Sequence, residues 1–590
     1  MIKNLIKTYN LLSNSSQTLL FFICVLMIFA MILEAMSIGI IIPFLGYFFD
    51  SSQNSYFYNF IVYLEDYTSL SALNILLIII LAVFLIKNLF LIFNHYINSK
   101  FIQKIKYEMS IKGFKTYLKK DYDFFLKNNT AVLLRNLTTE IGSLVVFLTS
   151  AIVLVSEICV FIGIISLLLI VDFKSTLIVT LIAFIFSFLI IYVTKNKMLS
   201  KGRERIFIDG QINKFLMQGL SATKDVKLLQ VEDALINNAS HFLKKSYHVN
   251  LFFLFYNGIT KYLFELLVVI LFVGLVLVLS KLDFDYNYIL KTSALLGIAS
   301  FRILPSISRI STSIQQIKFR ENTIDCLFSE FVSLKSGNHK MQKEETKGNP
   351  GYVTKSITLN HKLNVENLNY SYNSEKNFIV LKNINFEIKK GEFLGIYGAT
   401  GSGKSTLVNI LIGLLKTNNV FIDGRNIFEN IHSWQKNIGY VAQDTYLVDD
   451  TIQRNIAFGI DDQFIDNNKI SDTLDKSQLR SFVDSLPKKL ETKVGEKGIK
   501  ISGGQKQRIG IARALYHNPQ VLIFDESTSS LDIKTEQNVL KAINDLKKIK
   551  TIIFVTHRNS IIDVCDKVLY LSNGSIKYFG EPNQQFKNNE

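Results

Sequence analysis

Only four cysteines occur in the 590 residues. Cys24, Cys159, Cys326 and Cys565 stand too far apart for any metal-binding or disulfide spacing, which excludes a disulfide scaffold and leaves four inert thiols. Acidic residues are the scarcer charge, with 49 Asp and Glu against 65 Lys and Arg and a formal net charge of +16. Such a surplus can serve nucleic acid, but here it gathers in loops between apolar runs. That is where the positive-inside rule puts it in a membrane protein, so no nucleic-acid partner is expected. Beyond residue 320 the chain lacks any apolar run of about 18 residues or more, the length that crosses a bilayer. The first apolar run lacks a small-residue cleavage site and extends well past a signal-peptide core, so it reads as an uncleaved span. A chain this long exceeds a single hydrophobic core, and at least two domains are expected.

What is present divides accordingly. Six apolar spans can be drawn at 17–49, 71–97, 141–171, 174–195, 251–281 and 288–318. The loops after the second and fourth are long and basic, whereas the segment after the first carries Asp50, Glu65 and Asp66 and neither Lys nor Arg. Both termini are therefore expected in the cytoplasm, in a multi-pass protein among membrane lipids. Regular apolar residues through 101–118 and 206–231 predict pairs of helical arms. An arm of about 20 residues reaches roughly 30 Å, carrying turns near Asp121–Leu126 and Gly219–Lys227 toward the soluble half. Tyr56, Phe57, Tyr58, Phe60 and Tyr63 suit a short helix in the outer interface, or an ordinary outer loop.

Charges inside the spans call for an explanation, since each cation costs about 2.5–3.5 kcal/mol at mid-bilayer. Arg302, Ser306, Arg309, Ser313 and Gln316 recur at helical spacing as one polar stripe. Lys87 sits beside Asn88 in the second span and Lys261 in the fifth. These cations are expected to face a wet cavity or an internal partner, and Lys87, Lys261, Arg302 and Arg309 are the candidates for an anionic headgroup. Alternatives stay open for two of them. Lys261 has Glu265 one turn later, and Arg309 can snorkel to the inner headgroups. Glu34 and Glu157 are available as partners for Arg302 and Lys87.

The second half alternates short apolar strands with polar helices, the pattern of an α/β domain. Residues 1–329 are read as the membrane domain, 330–355 as a polar linker and 356–590 as the soluble domain. Gly398-Ala399-Thr400-Gly401-Ser402-Gly403-Lys404-Ser405-Thr406 follows a strand-like run and opens a helix-like one, the setting of a P-loop. Its glycines let backbone N–H groups close on phosphate oxygens; Lys404 would reach the β- and γ-phosphates of ATP and Ser405 would offer a hydroxyl to Mg²⁺. Val521 to Phe524 is an apolar strand that runs into Asp525 and Glu526, with Asp525 suited to the Mg²⁺ shell and Glu526 to the attacking water. Gln443 follows a strand, placed to reach both metal and water; His557 ends another, placed to touch a γ-phosphate. Tyr372 lies where an aromatic ring would stack on adenine, with Tyr370 as its competitor.

Ser502-Gly503-Gly504-Gln505 after Ile501, together with Gln443, Asp525–Glu526, Ser530-Leu531-Asp532 and His557, resembles the nucleotide-binding domain of ATP-binding-cassette (ABC) transporters. Ile501 stands where that family usually has Leu. Six spans ahead of one cassette resemble an exporter-type half-transporter. The resemblance implies an α-helical six-span membrane domain plus an α/β P-loop cassette ATPase domain, the type IV exporter architecture. It implies a homodimer in which Ser502 and Gly504 of one copy cap ATP held by the other, in a bacterial inner membrane. The stretches Glu34 to Gly39, Ile42-Pro43-Phe44, Phe301 to Ser306 and Arg309-Ile310 are similar to the bacterial lipid-linked oligosaccharide flippases. That likeness implies a polyprenyl-pyrophosphate-linked glycan substrate. An exporter of another lipid or amphiphilic drug, a peptide exporter and an ATP-gated channel remain as alternatives. The peptide exporter is disfavoured because no peptidase-like Cys/His segment precedes the spans.

Overall fold

The computed structural model describes residues 2–40, 63, 65, 71–171, 173–281, 297, 303–331, 356–372, 379–527, 533–547, 549–557, 561 and 564–582. Arg302, Asp532, Ser530, the aromatic segment apart from Tyr63, and nearly all of the expected linker lie outside them. Two compact units result, Met1–Lys120 with Phe124–Lys347, and Asp121–Asp123 with Gly348–Glu590.

The first unit is helical. After the short α1 (Ile2–Leu11), Ser13 caps α2 (Asn14–Gly39) by accepting from the Ser16 N–H, relieving one of the donors a helix start leaves orphaned. Then come α3 (Ala72–Leu118), α4 (Tyr122–Lys127), α5 (Thr130–Arg135), α6 (Ile141–Val171), α7 (Phe173–Ser221), α8 (Thr223–Leu229) and α9 (Glu232–Lys281). A tenth helix, α10, occupies 303–331. Five segments among the described residues are long and apolar enough to cross a bilayer: Asn14–Gly39, Ala72–Leu118, Thr130–Ile170, Thr180–Ser221 and Glu232–Val278. The sixth expected span overlaps α10, whose preceding residues lie outside the description. Leu81, Leu85, Ile86, Leu89, Ile92 and Phe93 project exposed from α3, a surface suited to acyl chains. The expected arms are helical, and α3, α7 and α9 run from span to arm without a break.

Where the arms meet the spans, packing is close and polar. A Cβ at Gly202 on α7 would lie 2.0 Å from the Phe319 carbonyl oxygen of α10, so only glycine permits that approach. A π-helical turn, Asn136–Glu140, joins α5 to α6 and places Glu140, fully buried, against the Arg205 guanidinium at 3.0 Å and the Thr323 hydroxyl at 2.8 Å. Arg205 also donates to the Ser143 hydroxyl at 2.9 Å. This network knits α6, α7 and α10 together. The ion pair and these hydrogen bonds offset the cost of the buried charge, although Glu140 Oε1 and Arg205 Nε have no partner among the described residues.

The second unit carries two sheets. β1 (Lys362–Tyr370), β2 (Leu381–Lys389), β4 (Val420–Ile422) and β5 (Arg425–Asn426) form an antiparallel sheet in the order β2-β1-β4-β5. β3 (Phe393–Tyr397), β6 (Ile438–Val441), β7 (Val521–Asp525), β8 (Thr551–Val555), β9 (Lys567–Ser572) and β10 (Ser575–Gly580) form the second, ordered β10-β9-β3-β8-β7-β6. In it β9, β3, β8, β7 and β6 are parallel, and only β10 runs antiparallel. Central strands β7 and β8 are buried at every position, as apolar strands covered on both faces must be. This is the cassette that the α/β pattern predicts, beside a helical transmembrane domain.

Candidate functional site: a phosphate-binding cassette

Parallel strands bring their carboxyl ends to one edge, where an open α/β sheet binds its ligands. Gly398 follows β3, Gln443 lies two residues past β6, Asp525 and Glu526 end β7, and His557 lies two past β8. Strand order therefore gathers residues from four distant sequence positions.

The P-loop backbone is left-handed at Gly401 and Gly403, with φ of 81° and 107°. Gly398 is required on a second count, since a Cβ there would lie 2.2 Å from the Leu571 carbonyl oxygen. α11 (Lys404–Leu411) starts from Gly403, which has no side chain to cap it, so its first N–H groups stay available to an anion. Lys404, 6% exposed, donates from Nζ to the Gly398 and Ala399 carbonyls at 2.8 and 3.0 Å. Burial pushes its pKa below the ordinary lysine value, while Glu526 and Asp525 pull it back up. Ser402 Oγ is buried with no hydrogen-bond partner among the described residues. Thr400, Gly401 and Ser405 are exposed; Thr406 is buried, and its hydroxyl is 3.0 Å from that of Tyr372. Tyr372 is 40% exposed and packs edge-on against Tyr370, so the ring nearest the P-loop is that of Tyr372.

Glu526 is the hub. Its Oε2 accepts from Gln443 Nε2 at 2.9 Å, its Oε1 lies 2.8 Å from His557 Nε2, and Lys404 Nζ stands 4.0 Å away. Its φ of +46° is left-handed, a conformation that costs a non-glycine residue about 1 kcal/mol or more. The Glu526 N–H donates to the Val555 carbonyl at 3.0 Å, and this bond to β8 holds the strained residue in place. Asp525 is more buried, and desolvation pushes its pKa up against the lowering hydrogen bond from the Tyr440 hydroxyl at 3.3 Å. Ser405, Asp525 and Gln443 supply a hydroxyl, a carboxylate and an amide oxygen, a hard-oxygen set that fits Mg²⁺. No cluster of three or more His, Cys, Asp or Glu forms a metal cage among the described residues.

Ser502 opens α12 (Gly503–Tyr516) with a reciprocal capping box, its hydroxyl accepting from the Gln505 N–H and the Gln505 side chain accepting from the Ser502 N–H. Ser502 and Gly503 are exposed, while Gly504 and Gln505 are half-buried. No hydrogen bond joins this turn to the P-loop among the described residues. Asp532 lies outside the description, as does Arg302.

The membrane unit holds a second candidate. A cavity of about 470 Å³ is lined by Glu34 of α2, Lys87, Asn88, Asn94, His95 and Asn98 of α3, Ser156 and Glu157 of α6 and Arg309 of α10, with three apolar residues completing the wall. Lys87 stands 4.3 Å from the centre of the Phe84 ring. Arg309, half exposed, pairs with the buried Glu157 at 2.6 Å. The stripe on α10 splits, because Ser306 and Ser313 are buried in packing while Arg309 reaches the cavity. Lys261 is exposed, does not line the cavity, and makes no ion pair with Glu265. Asn94, His95 and Asn98 went unnoticed in the sequence, although they follow Lys87 at helical spacings of seven, eight and eleven residues on one face.

Comparison with known proteins agrees with this reading. The family model described as ABC transporter transmembrane region matches residues 8–296, and the one described as ABC transporter matches 381–529. A probable ABC transporter ATP-binding/permease protein of Haemophilus influenzae is 33% identical over 311 residues, covering 52% of each chain. A multidrug resistance ABC transporter ATP-binding and permease protein of Lactococcus lactis is 35% identical over 225 residues, covering 38% of each chain. The chain thus spans about half, or less, of the length of these curated relatives. Among solved structures, a bacterial Atm1-family ABC exporter with ATP bound shares the fold with a TM-score of 0.78 at 18% identity, covering 98% of this chain and 97% of that one. With a matched transmembrane region and a matched cassette of the kind that uses ATP and Mg²⁺, the chain belongs to the ABC transporter family, and its fold is that of an ABC exporter.

Proposed function

We propose that this chain is an ATP-driven translocase that moves an amphiphile with an anionic headgroup from the inner to the outer leaflet of a bacterial inner membrane. The polyprenyl-pyrophosphate-linked oligosaccharide is its best candidate substrate. The observation that carries the proposal is the polar cavity enclosed by apolar spans in the chain that also bears the cassette. Lys87 and Arg309 line that cavity, and a diphosphate is the group such cations would meet. Arg302 joins them as a proposed headgroup residue on the sequence stripe, and Lys261 only if its exposed side chain meets the headgroup elsewhere along the path.

In the proposed cycle the P-loop N–H groups and Lys404 hold the ATP phosphates, and Tyr372 packs on the adenine. Ser405, Asp525 and Gln443 would hold Mg²⁺, which supplies charge neutralisation on the β- and γ-phosphates. Glu526 orients the attacking water and accepts its proton, Gln443 and His557 keep that carboxylate in place, and His557 donates toward the γ-phosphate. Two copies close head to tail as a homodimer, each Ser502–Gln505 turn covering ATP in the other, with Asp532 at the same junction. The exposure of Ser502 and Gly503 supports an intermolecular role.

The test is reconstitution in liposomes with a labelled polyprenyl-pyrophosphate oligosaccharide. Outer-leaflet accessibility should rise only with ATP and fall to background in Lys87→Ala and Arg302→Ala. Wild-type transport in both variants would remove the headgroup assignment. A second reading, export of another lipid or an amphiphilic drug, is favoured by the two carboxylates that Glu34 and Glu157 bring to the same cavity. It predicts ATP-dependent movement of amphiphiles that lack a pyrophosphate.

A further inference from the structure

The cavity is not a plain cationic basket. Among the described residues, Glu34 and Glu157 set two carboxylates against Lys87 and Arg309, so a bare polyanion would meet repelling charges as well as attracting ones. The decisive atom is Glu157 Oε2. Glu157 has a side-chain exposure of 7%, and its Oε1 takes a 2.6 Å bond from Arg309. Oε2 is buried and has no hydrogen-bond partner among the described residues. A carboxyl oxygen left unpaired in a buried wall is costly, and proteins rarely leave one so unless something else fills the place. Asn94 and Asn98 of α3 line the same wall; Asn98 donates from Nδ2 to Asn94 Oδ1 at 3.0 Å, and its own Oδ1 is buried with no donor among the described residues.

A second cavity of about 350 Å³ adjoins the first, sharing His95, Asn98, Ser156, Glu157 and Arg309 as walls. Glu157 therefore stands at the junction, with Lys87 on one side only. We infer that Glu157 is a specificity residue for a headgroup that joins a phosphoryl anion to hydrogen-bond donors. The anion is met by Lys87, and a hydroxyl or amine next to it is accepted by Glu157 Oε2. The inference rests on the anionic-headgroup reading proposed above and narrows it. A bare lipid phosphate leaves the Glu157 oxygen unpaired, whereas a glycosylated one satisfies it.

The experiment uses the full chain in nanodiscs and two probes with the same tail, farnesyl pyrophosphate and farnesyl-pyrophosphate-linked N-acetylglucosamine, with binding measured for both. Wild type should prefer the glycosylated lipid by roughly ten- to hundredfold, the range expected of one hydrogen bond to a charged group. Glu157→Gln should erase most of that preference while binding farnesyl pyrophosphate at least as well, because Arg309 is released from its partner. The double variant Glu157→Gln with Arg309→Gln removes both charges of the pair, so it controls for the cation left unpaired at the cavity wall, and it should also lose the preference. Equal affinity of wild type for the two lipids, or a preference unchanged in both variants, overturns the role of Glu157 and leaves the anionic-headgroup reading standing. Binding of neither lipid overturns that reading and this inference together.

Discussion

Replacing Glu526 with Gln removes one charge and nothing else of size, so its consequences can be worked from the contacts. The carboxylate accepts from Gln443 on one oxygen and meets His557 on the other, with Lys404 4.0 Å away. A carboxamide keeps one acceptor and turns its NH₂ toward a neighbour that is itself a donor. One of the two short contacts is then lost, at about 1 kcal/mol or a little more. The P-loop cradle is untouched, so ATP affinity should stay within a few-fold of wild type. Turnover loses its general base, and positioned acid–base groups contribute about 10²- to 10⁴-fold. At about 1.4 kcal/mol per decade that is roughly 3–5.5 kcal/mol of barrier. Phosphate release from protein in nanodiscs, beside equilibrium binding of a fluorescent ATP analogue, separates the two. A Glu526→Gln chain that hydrolyses ATP within threefold of wild type would refute the role given to this carboxylate, whatever its affinity.

Three more expectations follow from the geometry. Gly398→Ala puts a methyl 2.2 Å from the Leu571 carbonyl oxygen and should abolish ATP binding while the protein stays folded, as judged by thermal unfolding and nucleotide binding together. Arg205→Met strands the fully buried Glu140 and should cost about 3–5 kcal/mol of stability, much of it recovered in Arg205→Met with Glu140→Gln, as measured by unfolding in detergent. Asp525 has a folded pKa raised by burial, so its contribution to stability is full below the unfolded carboxylate value and is lost as pH rises through the folded one. Asp525→Asn should therefore stabilise the nucleotide-free protein at neutral pH and not at acid pH, while removing its response to Mg²⁺-ATP.

The cassette was legible because its chemistry is written in short contiguous motifs attached to strand ends. Once β3, β8, β7 and β6 are known to be parallel neighbours, Gly398, His557, Glu526 and Gln443 must share one edge. The strain at Glu526 was not legible, since it depends on the hydrogen bond to Val555 from a different strand. In the membrane unit the spans and arms followed from periodicity and length. The pairing of Arg309 with Glu157 joins helices far apart in sequence, and no spacing rule reaches across them. Asn94, His95 and Asn98 belong to the opposite case, a face that helical spacing from Lys87 would have exposed. The π-helical turn at Asn136–Glu140 has no local signal, because it is held by Arg205 and Thr323 from other helices.

The central claim is that ATP closes two copies of this cassette on each other, and a cross-link tests it most directly. With Cys24, Cys159, Cys326 and Cys565 replaced by Ser, cysteines are introduced at Thr400 in the P-loop and Ser502 in the signature turn. The account predicts a disulfide between chains that accumulates with Mg²⁺-ATP in the Glu526→Gln background and is sparse without nucleotide. Absence of any inter-chain product in every nucleotide state, from protein that still binds ATP, would contradict it.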